Sequence, residues 1–252
     1  QGSGMEDETA DRHLRPWQYP IRALMIRDYA KLWAATLLQV SGFQMQAIAQ
    51  GYLVYDLTGS AKNLGLISLA TALPLLLLSP LGGVVADRVG RKYLIQIGQF
   101  LSAVGAGFIA ITLITGILLW PYLLIVAALQ GTTWAFIGPA RQAYIPQLVG
   151  RSRMSNAVAL LAAGISLPAL FAPALAGTLY ALWGAETVYL LQIAGLLFAF
   201  GLTYSIQENG SGNSIDRPGM ISDIREGLSY LSHNPKLRTL LTTLAFILLF
   251  SI

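Results

Sequence analysis

Two stripes of polar and aromatic side chains run through otherwise apolar parts of this 252-residue chain. In each stripe the residues recur at i, i+4, i+7 and i+11, a spacing that places them on one face of a helix. The first stripe comprises Gln39, Phe43, Gln46 and Gln50. The second comprises Gln130, Trp134, Ile137 and Arg141. Amide and guanidinium groups hold polar solutes by hydrogen bonds, so both stripes are candidates for a binding site.

Inside a membrane, such stripes have two alternative roles. A polar side chain that faces lipid is costly, so both stripes should face protein or water. They could join helices by hydrogen bonds, as packing interfaces in membranes do. Because two segments carry the same spacing, we favour the other role. We predict that the polar and aromatic members of the stripes line a water-filled substrate cavity.

The apolar segments hold no aspartate, glutamate, lysine or histidine. A membrane protease or metalloenzyme needs a nucleophile beside a base, or several metal ligands, at membrane depth. The chain also lacks cysteine, which excludes disulfides and thiolate metal sites. We therefore predict that the protein is not an enzyme and holds no metal and no cofactor.

A short charged stretch, "GGVVADRVGRK" over residues 82–92, interrupts the apolar sequence. Its charged members fall within six residues and are Asp87, Arg88, Arg91 and Lys92. The basic residues alone could mark the cytoplasmic side of a membrane. That role explains neither the acid among them nor Gly83 and Gly90, which leave room for a close neighbour.

The composition and the apolar runs indicate a membrane protein. Hydrophobic residues make up 55% of the chain and charged residues only 11%, whereas soluble domains average about 25% charged residues. Six runs are long enough to cross a bilayer, which takes about 20 mostly apolar residues. Their predicted limits are Leu32–Val54, Leu64–Ala86, Tyr93–Thr115, Trp120–Ala140, Ala157–Leu182 and Thr187–Ile206, and a seventh run begins near Leu237.

Basic residues lie almost entirely in alternate connecting segments. Of the 16 lysines and arginines, only Lys62 falls outside the N-terminal tail, the loops after the second and sixth runs, and the end of the fourth run with its loop. A soluble protein with buried helices would have no reason to sort its charges in this way. The positive-inside rule then predicts a multi-pass protein of the cytoplasmic membrane with its N-terminus inside.

This layout divides the chain into four segments. Residues 1–31 form a cytoplasmic tail whose first four residues resemble a tag remnant, and residues 32–206 form a six-helix bundle. Residues 207–236 form a cytoplasmic central loop that contains a short amphipathic helix in "MISDIREGLSYLSHNP". Residues 237–252 are expected to start a seventh transmembrane helix, where the chain is cut off.

A weak internal repeat relates the second and fifth runs. The second contains "PLLLLSPLGGVVAD" and the fifth "PALFAPALAGTLYA", each with two prolines and a cluster of small residues. Runs three apart cross a membrane in opposite directions, as an inverted three-plus-three repeat requires. In the fifth run Pro168, Pro173 and Gly177 are candidates for a flexing seam, or alternatively for tight helix packing.

The charged stretch also carries a family resemblance. Its pattern, Gly83-x-x-x-Asp87-Arg88-x-Gly90-Arg91-Lys92, resembles the signature loop of the major facilitator superfamily and lies between the second and third runs, as it does there. Within that superfamily the chain is most similar to the exporter branch of the enterobactin exporter and the macrolide-type efflux pumps. The stretches that carry this similarity are "RDYAKLWAATLLQVSGFQMQ", "LVYDLTGSAKNLGL", "GPARQAYIPQLV", "MSNAVAL" and "REGLSYLSHNPKLRTLL".

The resemblance implies a role for the loop as a cytoplasmic gate. Asp87 would meet the end of a helix in a second half of the transporter, where a carboxylate is stabilised if the end is an N-terminus. Arg88 and Arg91 would be its charge partners.

Two departures concern proton antiport. Antiporters of the superfamily usually carry an arginine three residues before a Gln-Gly pair in the fourth span, where this chain has Ala127. Of their Gly-Pro and Gly-Gly signature in the fifth span, this chain keeps only Pro173 and Gly177. The proton is therefore a coupling ion that the branch suggests and these residues do not support.

Taken together, the sequence predicts an all-α membrane protein, the N-terminal half of a major facilitator fold whose second transmembrane half is missing from this chain. Its partners would be the lipid bilayer and a small amphiphilic molecule exported by alternating access, with no nucleic acid. Two alternatives stay open. One is an importer of a small polar solute on the same fold, and the other is a membrane scaffold or sensor that transports nothing.

Overall fold

The computed structural model describes residues 22–150 and 153–207, apart from the side chain of Asp87. Several predictions lie outside these residues: the tail before residue 22, the amphipathic helix of the central loop and the start of the seventh helix. The predicted role of Asp87 likewise concerns a side chain outside the described part.

The described part of the chain is built from helices. Their bounds are Arg27–Thr58 for α1, Ala61–Val89 for α2, Arg91–Ile114 for α3 and Trp120–Val149 for α4. A fifth run, Met154–Tyr204, is interrupted at Gly184, whose φ of 82° and ψ of 173° are not helical. We number its two parts α5 (residues 154–183) and α6 (residues 185–204). No strand occurs among the described residues, so the all-helical prediction is confirmed for them.

Every junction between these helices contains a glycine with positive φ. In chain order these are Gly59, Gly90, Gly116, Gly150 and Gly184. Glycine adopts this region without steric cost because it has no Cβ. At the end of α1, for example, the backbone N–H of Gly59 donates to the carbonyl of Tyr55 at 2.7 Å and closes the helix.

Four of the helical runs are long and apolar enough to cross a membrane by length and composition. They are Ala61–Ala86, Arg91–Ile114, Trp120–Val149 and Met154–Tyr204. Helix α1 is not among them, although it is 32 residues long. The predicted count of six spans therefore stays a prediction, while several membrane-crossing helices are confirmed by this criterion.

Helices α1 and α4 run antiparallel through the centre of the bundle. As the residue numbers rise along α1, the numbers of the residues that they contact on α4 fall. Gln39 accepts from Arg141 at 2.6 Å, and the rings of Phe43 and Trp134 lie 4.9 Å apart. Further along, the Gln50 side chain donates to the carbonyl of Leu123 at 2.7 Å. The two predicted stripes therefore lie on facing helices.

Helices α2 and α4 approach each other through glycines. A Cβ added to Gly131 of α4 would collide with the backbone of Thr71 in α2. A Cβ added to Gly82 of α2 would collide with the carbonyl oxygen of Ala135 in α4. Small residues of this kind let two helix backbones come close in a membrane.

Helix α1 also packs on α5, the first part of the fifth run. The Tyr29 hydroxyl donates to the carbonyl of Ala157 at 2.7 Å, and the Trp33 indole donates to the carbonyl of Leu160 at 2.7 Å. These two contacts hold the start of α1 against the start of α5.

The buried core consists of two apolar clusters with polar side chains between them. On α4, Leu123, Val126 and Ala127 belong to one cluster, and Ile137 and further residues up to Val149 belong to the other. The same division recurs on α1, α3 and the fifth run. Between the clusters lies a set of buried polar side chains that we call the polar layer: Thr36, Gln39, Gln96, Gln99, Ser102, Gln130, Thr133 and Thr203, with Gln46, Gln50, Arg141 and Gln192 beside them.

Candidate functional site

The polar layer is built mainly on α1, α3, α4 and α6. Helical spacing on each element places its polar residues on the face that packs inward, so they meet at the centre of the bundle. Burying these groups is tolerable only where they find hydrogen-bond partners. The contacts show where each partner lies and which groups are left without one.

Gln46 is the centre of a chain of amides. Its Oε1 accepts from Nε2 of Gln192 on α6 at 2.7 Å, and its Nε2 donates to Oε1 of Gln50 at 3.5 Å. Gln50 in turn donates to the backbone of α4 at Leu123. A Cβ on Gly42 would lie 3.1 Å from the Gln192 side chain, so the amide of α6 is packed closely against α1. This chain joins three helices through uncharged groups.

A second group surrounds Arg141 on α4. Its Nη2 donates to Gln39, and its guanidinium lies 5.8 Å from the ring of Trp134, which in turn contacts Phe43. Gln39, Trp134 and Arg141 form what we call the donor cluster. Gln39 and Arg141 are 2% and 3% exposed, so the cluster sits inside the bundle.

The structure therefore brings most of the predicted stripe residues together. Gln39, Phe43, Trp134 and Arg141 touch one another, and Gln46 and Gln50 form the amide chain. Gln130 is buried, and its carbonyl oxygen accepts from the Thr133 hydroxyl at 2.9 Å. Burial and contact do not distinguish a substrate cavity from a packing network, so the cavity stays a prediction.

The sequence analysis missed the partners on α3 and α6. Gln192 binds Gln46, and Gln99 of α3 donates to the Thr203 hydroxyl at 3.2 Å. Ser102 and Thr133 lie 3.4 Å apart between α3 and α4. On α3, Gln96, Gln99 and Ser102 recur at helical spacing, which could have indicated that helix as a partner. Gln192 and Thr203 stand alone in the apolar sequence of α6, so their only signal is a polar residue among apolar ones.

Two basic residues of the signature loop contact carbonyls within the bundle. Arg91 Nη1 donates to the Ala143 carbonyl of α4 at 2.5 Å, and Lys92 Nζ donates to the Ile206 carbonyl after α6 at 2.7 Å. Lys31 donates to the neighbouring carbonyl of Ser205 at 2.6 Å. Cations at the end of α6 match the negative end of the helix dipole.

The other loop positions are more open. Gly83 and Arg88 are exposed, and a Cβ on Gly83 would meet no atom. Gly90 has positive φ and starts the turn into α3. Among the described residues, the loop thus leaves one exposed glycine and one exposed cation on its surface.

The α5 segment that contains Pro168, Pro173 and Gly177, where the sequence suggested flexing or tight packing, is helical throughout. Pro168 is buried and Pro173 half-buried, and both lie inside the run Met154–Tyr204 without a break between them. A Cβ on Gly177 would meet no atom. Gly177 therefore makes no close approach to another described helix, and a flexing role for the three residues stays a prediction.

The chain matches a family model described as "Transmembrane secretion effector" over residues 19–252. The match covers nearly the whole chain, including the signature loop and both stripes. The chain belongs to this transporter family of the major facilitator superfamily. The family resemblance drawn from the sequence is thereby confirmed, and at family level its members are transporters rather than enzymes.

Relatives within the family include efflux proteins. Macrolide efflux protein A of Streptococcus pyogenes is 26% identical over 214 residues, which cover 83% of this chain and 52% of that protein. Multidrug efflux pump Tap of Mycobacterium tuberculosis is 29% identical over 228 residues, covering 82% of this chain and 51% of the pump. The chain thus spans about half the length of these two relatives.

A solved structure shares the fold. The crystal structure of the peptide transporter POT, as an E310Q mutant in complex with sulfate, superposes with a TM-score of 0.63 at 18% identity. The superposition covers 88% of this chain and 46% of that transporter. At this identity the likeness shows the major facilitator fold alone.

Proposed function

We propose that this bundle is one half of a secondary active transporter that exports a small amphiphilic molecule across the cytoplasmic membrane by alternating access. The observation that carries the proposal is the family match over residues 19–252, joined to relatives named as macrolide and multidrug efflux proteins. A second half would complete the transporter, since the chain covers about half of each relative. The N-terminus would lie inside, as the loop charges indicate.

The bundle would be an inverted repeat of three helices and three helices. Phe43 and Trp134 occupy the same position in the two stripes, and their rings contact each other at 4.9 Å. A two-fold axis relates each residue of one repeat to an equivalent residue of the other. Two equivalent residues can contact each other only if both lie close to the axis. This contact therefore supports an axis that passes between α1 and α4 and exchanges the two sets of helices.

The substrate would bind along the polar layer on α1 and α4. Buried amides that bond to one another can exchange those bonds for bonds to a solute without leaving a charge unpaired. Gln46 and Gln50 would serve in this way, with Gln130 on the facing helix. Amides also suit a range of neutral and polar groups, in keeping with relatives named for multidrug efflux.

The test is a transport assay on inverted membrane vesicles that contain the full-length transporter. An amphiphilic fluorescent dye should accumulate in energised vesicles, because the exporting direction then points inward. Vesicles from cells with the empty vector are the control. Equal dye accumulation in both would contradict transport, and faster loss of preloaded dye would favour the importer.

A further inference from the structure

The donor cluster holds three hydrogen-bond donors with no acceptor. Arg141 Nε, Gln39 Nε2 and Trp134 Nε1 are all buried and have no hydrogen-bond partner among the described residues. All three atoms can only donate, since none carries a lone pair free to accept. A buried donor left unpaired costs free energy, and the cost is larger for a charged group. Three such donors on residues that contact one another point to an acceptor that the described side chains do not supply.

Among the side chains that the structure describes, which do not include that of Asp87, the cluster also has no negatively charged partner. Arginine stays protonated in proteins, and Arg141 contacts the neutral Gln39 and the ring of Trp134. The described carboxylates lie elsewhere: Asp28 pairs with Lys31, Asp56 accepts from Tyr180, and Glu186 lies beside Gly184. A buried cation without a counter-charge is unfavourable, most of all in a membrane.

Water alone fits this arrangement poorly. One water molecule accepts two hydrogen bonds at most and would leave one of the three donors unpaired. Further waters could pair the third donor, but no water brings the charge that would compensate the cation. An ionised carboxylate offers about four lone-pair sites and one negative charge. Arginine and carboxylate also form short, charge-assisted hydrogen bonds.

We propose that the donor cluster binds the carboxylate, or a similar oxyanion, of the transported molecule, which would make the substrate an anionic amphiphile. This rests on the proposed export function and names its substrate class. Phe43 and Trp134 are only partly buried and lie in ring contact beside the cluster. Their faces would hold the apolar part of the molecule while Arg141 holds its charge.

The experiment compares an anion with a neutral molecule on the same ring system, 2-naphthoate and its methyl ester. Binding of each to the purified protein in detergent is measured by equilibrium dialysis. We expect saturable binding of 2-naphthoate and clearly weaker binding of the ester. Arg141→Gln should weaken 2-naphthoate binding by about tenfold or more, because a hydrogen bond to a charged group is lost. The matched control is Lys62→Gln, which removes an exposed cation at the start of α2 and should bind like the unmodified protein.

A second variant guards against misfolding of Arg141→Gln. Gln39→Glu places a carboxylate within reach of Arg141, so it should raise the thermal midpoint while it abolishes 2-naphthoate binding. Equal binding of acid and ester would overturn the proposal, and so would undiminished binding by Arg141→Gln or a lowered midpoint for Gln39→Glu. Absence of 2-naphthoate binding to the unmodified protein would also overturn it and would assign the donors to water or to another acceptor of the protein.

The transport assay and the binding assay together distinguish failure of the export function from failure of the anionic substrate class. If the inverted vesicles accumulate the dye but the protein does not bind 2-naphthoate, the anionic substrate class is wrong and the export function stands. If the protein binds 2-naphthoate through Arg141 but the inverted vesicles accumulate no dye, the anion site stands and the export function is wrong.

Discussion

Gln46 uses both ends of its amide inside the bundle. Its oxygen accepts from Gln192 on α6, and its nitrogen donates to Gln50 one turn along α1. Removing Gln46 alone would leave Gln192 Nε2 buried without an acceptor. Removing Gln46 and Gln192 together would leave no such orphan between them, which makes the pair suitable for a double-mutant cycle.

We expect Gln46→Leu to destabilise the protein by about 1–2 kcal/mol, in the range for interhelical hydrogen bonds in membranes. Gln46→Leu with Gln192→Leu should be no less stable than the single variant, because neither amide is then left unpaired. Thermal unfolding in detergent measures both. Gln142→Leu, at an exposed position of α4, is the control and should leave the midpoint unchanged.

The proposed substrate role of Gln46 also requires that Gln46→Leu weaken substrate binding. Unchanged binding in a destabilised variant would leave the amide chain with a packing role alone. A double variant that loses the sum of the two single effects would contradict the coupling between Gln46 and Gln192.

At the scale of single residues, the sequence predicted the members of the site better than their hydrogen-bond partners on other helices. The spacing of Gln39, Phe43, Gln46 and Gln50 fixes a common helix face, which is a local property of α1. That Gln192 meets Gln46 depends on how α6 packs against α1, and a single amide in an apolar run carries no information about the facing helix. Charge patterning likewise could not indicate that Arg141 lacks a counter-charge among the described residues.

At the scale of helices, the contact between α2 and α4 depends on the absence of side chains at Gly82 and Gly131. Each glycine faces a backbone carbonyl of the other helix. The same helix α4 contains Gly138, where an added Cβ would meet no atom. The two glycines of α4 therefore form a matched pair of sites in one element.

Gly131→Ala should destabilise the protein by about 1–3 kcal/mol, the usual cost of overpacking. Gly138→Ala should be neutral or slightly stabilising, because alanine favours helix more than glycine does. Thermal midpoints of the two variants, measured side by side, provide the check. Equal midpoints for both would contradict the close packing of α2 on α4.

The signature loop between α2 and α3 gives a prediction of its own. If Asp87 completes a cytoplasmic gate, Asp87→Asn in the full-length transporter should insert normally and transport several-fold more slowly. Asp28→Asn is the control, since a partly exposed ion pair such as Asp28 with Lys31 contributes little to stability. Unchanged transport by Asp87→Asn at matched expression would reduce the loop to a signal for membrane orientation.

Helix positions were largely predictable, and the exceptions have physical causes. The apolar runs predict the middle of each helix, because apolar side chains are favoured both in the buried core and in contact with lipid. Helix α4 extends to Val149, well past the predicted end of its span at Ala140, with Pro139 and Pro146 inside it. The apolar cluster that contains Ile137 and Val149 holds this extension through residues such as Tyr144. This packing is a tertiary effect, and the hydropathy of α4 alone does not predict it.

At the scale of the whole molecule, orientation in the membrane is the first property to test. The chain has no cysteine, so single cysteines can be labelled cleanly. Ala61→Cys, exposed at the start of α2, should react with an impermeant maleimide on intact cells. Val89→Cys, 47% exposed at the other end of α2, should react only after permeabilisation. The opposite pattern would place the N-terminus outside and remove the cytoplasmic gate.

The polar layer has an electrical consequence. Apart from Arg141, its members are neutral amides and hydroxyls. The membrane potential acts only on charge that moves through it, with about 2.3 kcal/mol per elementary charge per 100 mV. If this bundle rocks while Arg141 keeps its depth, the amides and hydroxyls carry no net charge across the field. The rocking of this bundle would then be almost insensitive to voltage. Any current that accompanies transport would come from the cargo, from a bound ion or from charges beyond the described helices.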